Sequence, residues 1–373
     1  MILSRRSIIL SGISVAAAGA MPRFAYAAAG TPKRLVFVIQ RGAADGLAVV
    51  APTGEPAFAA ARRALADEAS GGAKLDGLFT LHPALATGAS LFAAKQAHFA
   101  HAVATAYRDR SHFDGQNVLE GGGSRPYARD DGWIGRLLTL LPAAEREAIA
   151  IAPAVPLALR GTVPVGTYAP SRLPQADADL IARLTAMCAD DALLRPLWDS
   201  AVKTQELASD IGGNNGRNGA DLGKLAASLM LPADRARVMM VETGGWDTHS
   251  AQKGRLAAQL RGLDQLIGAL QTGLGPAWSD TLVIVATEFG RTVEVNGTGG
   301  TDHGTASTAM FFGGGLAGGG KVSADWPGLA SAARYEGRDL KPTRSLESVV
   351  AGAVAHHYAL DPARVTKTLY PDA

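Results

Sequence analysis

The sequence has 373 residues, of which 47% are hydrophobic and 19% are charged, so it can bury a large core. Its 36 lysines and arginines nearly balance 34 aspartates and glutamates, which excludes the strongly basic surface expected of a nucleic-acid-binding protein. The single cysteine excludes an internal disulfide, so stability must come from burial or from a bound metal.

The first 28 residues have the pattern of an export signal. Arg5 and Arg6 come first, a mildly apolar run extends to Ala20, and an Ala-x-Ala exit follows. An amphipathic helix is disfavoured because the apolar run contains serines and glycines. The paired arginines are typical of the twin-arginine route. We therefore expect the twin-arginine translocase and signal peptidase as partners, cleavage after Ala27 or Ala28, and a periplasmic or secreted protein.

Residues 29–373 are expected to form a single α/β domain. Loss of the signal leaves 33 basic and 34 acidic residues, so the surface stays near neutral. No later apolar run reaches the 18 or more residues that a membrane-spanning helix needs, so we expect no membrane span.

Short apolar strands alternate with helical patterns along this domain. The clearest helix pattern covers Ser250–Leu270, where leucines and isoleucine recur at spacings of three and four. Strands such as 282–285 are apolar on both faces, which is typical of a covered parallel sheet. The alternation predicts a three-layer α/β/α fold with a mostly parallel central sheet. The predicted strands are Arg34–Gln40, His98–Val103, Ala148–Ala152, Arg237–Glu242, Thr281–Ala286 and Ala309–Phe312.

Two segments depart from this alternation. Residues from about 153 to 231 are first proline-rich and then helical, and we interpret them as a helical insertion or cap. A formal GxGxxG begins at Gly313, but no helix pattern follows it. A dinucleotide site needs that helix, so this interpretation is rejected.

Polar residues cluster directly after the predicted strands, where ligands bind in open α/β sheets. Aspartates, a glutamate and histidines in these loops suit a divalent metal such as Zn²⁺, Mn²⁺ or Fe²⁺. Each residue also has a purely structural alternative: Ser111 with Asp114 forms a helix-capping pattern, Asp45 precedes a turn glycine, and His249 and His303 could be structural. Serine at a helix start is equally suited to be a nucleophile facing a bound anion.

Six motifs in fixed order, together with the paired arginines, resemble one exported bacterial family. They are Arg41-Gly-Ala-Ala-Asp-Gly-Leu47, Leu81-His-Pro-Ala-Leu85, Arg110-Ser-His-Phe-Asp114, Glu242-Thr-Gly-Gly-Trp-Asp-Thr-His249, Thr287-Glu-Phe-Gly-Arg-Thr292 and Gly299-Gly-Thr-Asp-His-Gly304. The family is the domain of unknown function 1501, grouped with the alkaline phosphatase and sulfatase superfamily. The resemblance implies an alkaline-phosphatase-like fold, but no activity is assigned to the family.

Carried over to this sequence, the resemblance implies Ser111 as nucleophile and a set of metal ligands: Asp45, Asp247, His249, Glu288 and His303. Phe289 stands where the superfamily has a histidine, so one metal site is incomplete unless His112 or Asp302 replaces that ligand. The implied chemistry is metal-dependent hydrolysis of a small phosphate or sulfate ester, with Arg291 or Arg110 holding the anion. The alternative is a non-catalytic binding or assembly protein on the same fold. A metal-free serine hydrolase is disfavoured because no G-x-S-x-G motif occurs.

Overall fold

A nine-stranded sheet forms the middle of the fold in the computed structural model, which describes residues 32–169, 178–192, 194–209, 218–231 and 236–372. The predicted export signal lies outside the described residues. Pro32–Ala373 forms one compact unit. No helix in the described ranges is long and apolar enough to cross a membrane.

The described strands are, in chain order, β1 Arg34–Gln40, β2 Val50–Ala51, β3 Ala73–Lys74, β4 Thr80–Leu81, β5 Ala97–Ala104, β6 Ala148–Ile151, β7 Gly166–Tyr168, β8 Val238–Thr243, β9 Thr281–Ala286, β10 Ser307–Phe312, β11 Lys321–Ser323 and β12 Arg344–Ser345. The strands of the large sheet run in the order β11-β5-β10-β9-β1-β8-β6-β7, with β12 also paired to β5. Neighbouring strands are parallel except on the two sides of β10. A separate small sheet has the order β2-β4-β3.

Twelve α-helices lie in the described residues. They are α1 Gly46–Val49, α2 Phe58–Arg62, α3 Ala64–Ser70, α4 Ala86–Ala93, α5 His112–Gly121, α6 Trp133–Leu140, α7 Ala178–Cys188, α8 Leu194–Ser209, α9 Gly219–Met230, α10 Gln252–Leu274, α11 Leu346–His357 and α12 Pro362–Leu369. Short 3-10 turns occur at Ala143–Glu145, Leu157–Leu159, Gly275–Asp280 and Ser331–Ala333.

The central strand β1 shows why the fold has three layers. Val36 and Val38 pack with α9 and α10 on one face of the sheet, whereas Leu35 and Phe37 pack with α6, α11 and α12 on the other. Successive side chains of a strand point to opposite faces, and both faces are apolar here. The sheet is therefore covered on both sides, which confirms the predicted three-layer, mostly parallel architecture.

The segment predicted as an insertion contributes to the domain itself at two places. Strand β7 extends the large sheet beside β6. Helix α9 buries Leu225, Leu229 and Met230 in the core beside α10. Only α7 and α8 stand outside the main layers as additional helices, because their described side chains are largely exposed.

Candidate metal centre

The polar loops named from the sequence meet at one edge of the large sheet. Strands β1, β5, β8 and β9 are parallel to one another, so the loops that follow them lie at the same edge. Strand β10 is antiparallel, so the loop before it, residues 299–306, comes to that edge as well. Backbone hydrogen bonds join the last two loops: Gly290 donates to the Thr305 carbonyl at 2.8 Å and Gly304 donates to the Gly290 carbonyl at 2.8 Å.

Three imidazoles converge on the carboxylate of Asp247 at this edge. The Nε2 atoms of His249 and His303 lie 3.0 and 3.3 Å from Asp247 Oδ1. The Nε2 atom of His112 lies 3.5 Å from Asp247 Oδ2. His249 Nε2 and His303 Nε2 are only 2.9 Å apart. We call these four residues the His–Asp cluster.

The other ring nitrogen of each histidine contacts an oxygen that accepts hydrogen bonds. His112 Nδ1 lies 2.7 Å from Glu288 Oε1, His249 Nδ1 lies 2.9 Å from Asp302 Oδ1, and His303 Nδ1 lies 2.9 Å from the carbonyl oxygen of Arg110. Because a carbonyl or carboxylate oxygen can only accept, these contacts assign the proton to Nδ1. Each ring then directs its Nε2 atom to the centre of the cluster.

Nitrogen lone pairs that face one another at such distances repel unless a proton or a metal ion lies between them. The buried Nε2 atom of His112 has no hydrogen-bond partner among the described residues. Imidazole nitrogens held through Nδ1 by an oxygen acceptor, together with a carboxylate, are the donor set of protein metal sites. The cluster could therefore hold a metal ion, and His112, Asp247 and His303 satisfy that geometry most closely.

The ionisation of Asp247 and His303 also favours a cation. Burial tends to raise the pKa of Asp247, but the hydrogen bond and charge of Arg291 lower it below its usual value. Burial lowers the pKa of His303, and the neighbouring His112 acts in the same direction. The hydrogen bond to Glu288 raises the pKa of His112 against the effect of burial. At neutral pH, Asp247 is thus an ionised carboxylate and His303 is a neutral imidazole that can bind a metal.

Glu288 is placed differently from its predicted role as a ligand. It is buried behind His112, where Oε1 accepts from the backbone N–H of Gly42 at 2.8 Å and from Gln116 Nε2 at 3.1 Å. Oε2 accepts from the Thr287 hydroxyl at 3.0 Å. With these donors and His112 around it, the carboxylate orients the imidazole and does not face the cluster centre.

Arg291 and Asp45 also differ from their predicted roles. The buried Arg291 donates to Asp247 Oδ1 at 2.6 Å and to the Thr301 hydroxyl at 3.2 Å, so its guanidinium positions a ligand and is not free for a substrate anion. The buried Asp45 contacts the guanidinium of Arg62 and the amide of Gln252. Its carboxylate is therefore neutralised behind the cluster and does not join it.

Ser111 lies between Arg110, whose carbonyl oxygen contacts His303, and His112, a member of the cluster. It occupies the N-cap position of α5, yet its side chain makes no capping hydrogen bond. Its backbone N–H donates to the Tyr107 hydroxyl at 3.1 Å, and its own hydroxyl contacts the same group. The capping interpretation is thus not supported, and the nucleophile interpretation stays a prediction.

Close packing at two points explains why glycine occurs at positions 42 and 115 beside the site. Phe289 stacks on His112 with ring centroids 5.1 Å apart, and a Cβ on Gly115 would come within 2.9 Å of the Phe289 ring. Gly42 has a φ of +118°, and a Cβ there would lie 2.6 Å from the Asp247 backbone nitrogen. Glycine is needed at both positions because the neighbouring groups occupy the space of a side chain.

The sequence named His112 and Asp302 only as replacements for a missing ligand. The structure places His112 in the cluster and Asp302 behind His249. The local signal for His112 was its position at a helix start after a strand, two features that direct a side chain to the edge of a sheet.

The chain is similar to a known family and, more distantly, to several solved structures. Lipoteichoic acid synthase LtaP from Listeria monocytogenes is 9% identical over 79% of this chain and 70% of that protein, with a TM-score of 0.42. Phosphonate monoester hydrolase of Agrobacterium radiobacter is 12% identical over 89% and 84%, with a TM-score of 0.38. Alkaline phosphatase from the Antarctic bacterium TAB5 is 11% identical over 79% and 95%, with a TM-score of 0.37. No curated protein matches the chain.

The family match covers residues 175–363, a range that contains Asp247, His249, Glu288, Arg291 and His303. These residues come from three of the six motifs on which the resemblance was based. The chain belongs to the family described as "Protein of unknown function (DUF1501)".

Proposed function

We propose that this protein binds one divalent metal ion through His112, Asp247, His249 and His303 and hydrolyses small phosphate or sulfate esters with it. The observation that carries the proposal is the convergence of three Nε2 atoms on Asp247, each ring held from behind by an oxygen acceptor. Zn²⁺, Mn²⁺ and Fe²⁺ all accept nitrogen and carboxylate ligands of this kind. A bound ion would act as a Lewis acid on an ester oxygen.

The arginines around the cluster support a role for the metal in holding the anion. Arg291 is bound to Asp247 at 2.6 Å. Arg110 is bound to Glu336 at 2.5 Å and to Asp339 at 2.8 Å, and Arg41 to Glu120 at 2.8 Å and to Glu242 at 2.6 Å. With these guanidinium groups paired, positive charge for an ester anion would come chiefly from the metal.

One metal fits the residues better than two. Asp45, which resembles a ligand of the superfamily, is neutralised by Arg62, and Glu288 is saturated by hydrogen bonds. Phe289 covers one face of His112. The protein residues then have separate tasks: Glu288, Asp302 and the Arg110 carbonyl hold the imidazoles, Arg291 holds Asp247, and Ser111 is the proposed nucleophile.

A non-catalytic metal-binding protein is the second candidate function. The observation that favours it is that the Ser111 hydroxyl contacts Tyr107 and that Arg41, Arg110 and Arg291 are all paired with carboxylates. None of these three guanidinium groups is then free to hold a substrate. Both candidates need the same metal, but only the enzyme needs the serine.

The two candidates are separated by a panel of phosphate and sulfate esters assayed with metal-loaded wild-type protein and Ser111→Ala. An enzyme should turn over at least one ester and lose that activity in Ser111→Ala while keeping its metal. Thr139→Ala is the matched control, because it also removes a side-chain hydroxyl but lies at an exposed position on α6. No turnover by metal-loaded wild-type protein would favour the binding function.

We also propose export by the twin-arginine route, which the Arg5-Arg6 pair and the Ala-x-Ala exit support. Replacing both arginines with lysine should trap an unprocessed precursor in the cytoplasm, as seen by fractionation and mass. Replacement of Arg23 alone is the control. Normal processing of the double variant would contradict this route.

A further inference from the structure

A second cavity system lies along helix α11, lined by residues outside the His–Asp cluster. One part has a volume of about 310 Å³ and is lined by Leu282, Phe311, Leu316, Val349 and Ala353; we call it the apolar cavity. The other has a volume of about 470 Å³ and is lined by Arg108, Ser124, Arg344 and Ser345; we call it the cationic cavity. Arg344 and Ser348 line both, so the two cavities meet there.

Helix α11 supplies one continuous stripe to this groove. Residues 348–349, 352–353 and 356–357 line the apolar cavity, a spacing that keeps them on one face of a helix. The N-terminal residues Ser345, Glu347 and Ser348 line the cationic cavity. The positive end of the helix dipole therefore points to the same end of the groove as the arginines.

Neither arginine of the cationic cavity uses all of its N–H donors in the hydrogen bonds of the described residues. Arg344 Nη1 donates to the Ser323 hydroxyl at 2.7 Å, and Arg108 Nη1 donates to the Tyr107 carbonyl at 2.7 Å. No carboxylate within salt-bridge distance of either guanidinium is found among the described residues. Burial lowers the pKa of Arg108, which is the effect of a desolvated cation that an anion would relieve.

Two acidic residues also line the cationic cavity. Asp372 is bound to Arg129 at 3.0 Å. Glu347 Oε2 accepts from the Ser345 hydroxyl at 2.8 Å, and its charge tends to raise the pKa of Arg108 against the effect of burial. At the far end of the apolar cavity, burial lowers the pKa of His98 and lowers that of His357 to about 4. Those two rings are neutral at pH 7, whereas the guanidinium groups of Arg108 and Arg344 carry positive charge at the other end of the groove.

We propose that this groove binds a single-chain amphiphile with an anionic head, its tail in the apolar cavity and its head between Arg108 and Arg344. Apolar walls favour a hydrocarbon chain by the area they remove from water, and forked guanidinium groups match the oxygens of a carboxylate or phosphate. A short anion lacks the tail and a fatty alcohol lacks the charge, so neither should bind as well. The site is independent of the proposed ester hydrolysis.

The test is a calorimetric titration with decanoate, decyl phosphate, decanol and acetate. The protein is dialysed against EDTA first, so that no metal in the His–Asp cluster can capture the head group. We expect saturable 1:1 binding of decanoate or decyl phosphate, with the tighter of the two identifying the head, and binding at least about tenfold weaker for decanol and acetate.

Two sets of variants locate the site. Gly352→Leu fills the apolar cavity, since a Cβ at Gly352 would meet no atom within 4 Å and leucine is a better helix former than glycine. It should weaken decanoate binding about tenfold or more. Arg108→Gln with Arg344→Gln should weaken decanoate but not decanol. Gly254→Leu on α10, where a Cβ also meets open space, is the matched control.

Unchanged decanoate binding in Gly352→Leu, in protein whose circular dichroism matches wild type, would overturn the proposal. Equal affinity for acetate and decanoate would overturn it as well, because the tail would then contribute nothing. Equal loss in Gly254→Leu and Gly352→Leu would have the same consequence.

Discussion

Asp45 and Asp247 are both aspartates on loops at the same edge of the sheet, and each contacts a buried arginine, Arg62 and Arg291 respectively. Their surroundings differ. Asp45 is buried, and its other contact is the amide of Gln252. Asp247 is 41% exposed and faces three imidazole Nε2 atoms. One carboxylate completes an internal charge pair, whereas the other lies within a group of three imidazoles that could bind a metal ion with it.

A similar difference separates His101 from the histidines of the cluster. His101 is buried, and both of its ring nitrogens are satisfied: Nε2 contacts the Val50 carbonyl at 2.9 Å, and Nδ1 accepts from the Ala102 N–H at 2.8 Å. In the cluster each Nδ1 has its own oxygen acceptor, whereas the three Nε2 atoms converge on the single carboxylate of Asp247. Residue type is thus a poor guide to a metal site, and the convergence of several ring nitrogens on one carboxylate is a better one.

The largest effect on stability is expected from breaking the buried ion pair of Asp45 and Arg62. Arg62→Met leaves the buried charge of Asp45 uncompensated, and loss of one partner of a buried ion pair typically costs about 3–5 kcal/mol. We expect a loss of this size in the free energy of unfolding measured in urea. The double variant Arg62→Met with Asp45→Leu should recover much of it. Equal instability of the double variant would show that the pair is not the cause.

The second-largest effect is expected from acid, through protonation of the buried His101. Burial lowers the pKa of His101 to about 4 from an ordinary value of 6.5. The folded state therefore holds a proton on His101 more weakly than the unfolded state does, and the neutral ring contributes to the free energy of unfolding. This contribution is complete above pH 6.5 and is lost as the pH falls to 4. It amounts to at most about 3 kcal/mol.

Urea unfolding at pH 7 and pH 5 in EDTA measures this contribution. Wild-type protein should lose stability at pH 5, and His101→Gln should lose less of it between the two pH values. A pH dependence identical in both proteins would assign the acid sensitivity to other groups, such as His82, whose pKa burial also lowers to about 4.

A smaller effect is expected behind the cluster, at Glu288. Glu288→Gln keeps the size of the side chain but removes the charge that fixes the Nδ1 proton of His112. Loss of such a supporting carboxylate typically lowers metal affinity about 10–100-fold. Competition with a chromogenic chelator would measure it. Glu294→Gln, an exposed carboxylate paired with Arg334, should leave the affinity unchanged, and an equal loss there would contradict the role of Glu288.

Sequence patterns were sufficient to predict the layers of the fold and the edge at which the site lies. Runs such as Leu282–Val285 are apolar on both faces, and this dictates a covered sheet whose polar loops gather at its edge. Asp247, His249 and His303 followed from the same loops. The direction in which each carboxylate points could not be predicted, because it depends on hydrogen-bond donors from distant segments of the chain. Arg62 on α2 turns Asp45 inward, and Gly42 and Gln116 hold Glu288 behind His112.

Metal content tests the central claim most directly. Elemental analysis of protein loaded with Zn²⁺, Mn²⁺ or Fe²⁺ and freed of excess metal should find about one ion per chain. His303→Ala should lose that ion, whereas His356→Ala, an exposed position on α11, should keep it. A wild-type protein that holds no metal under any loading condition, or a His303→Ala variant that retains it, would contradict the assignment of the His–Asp cluster.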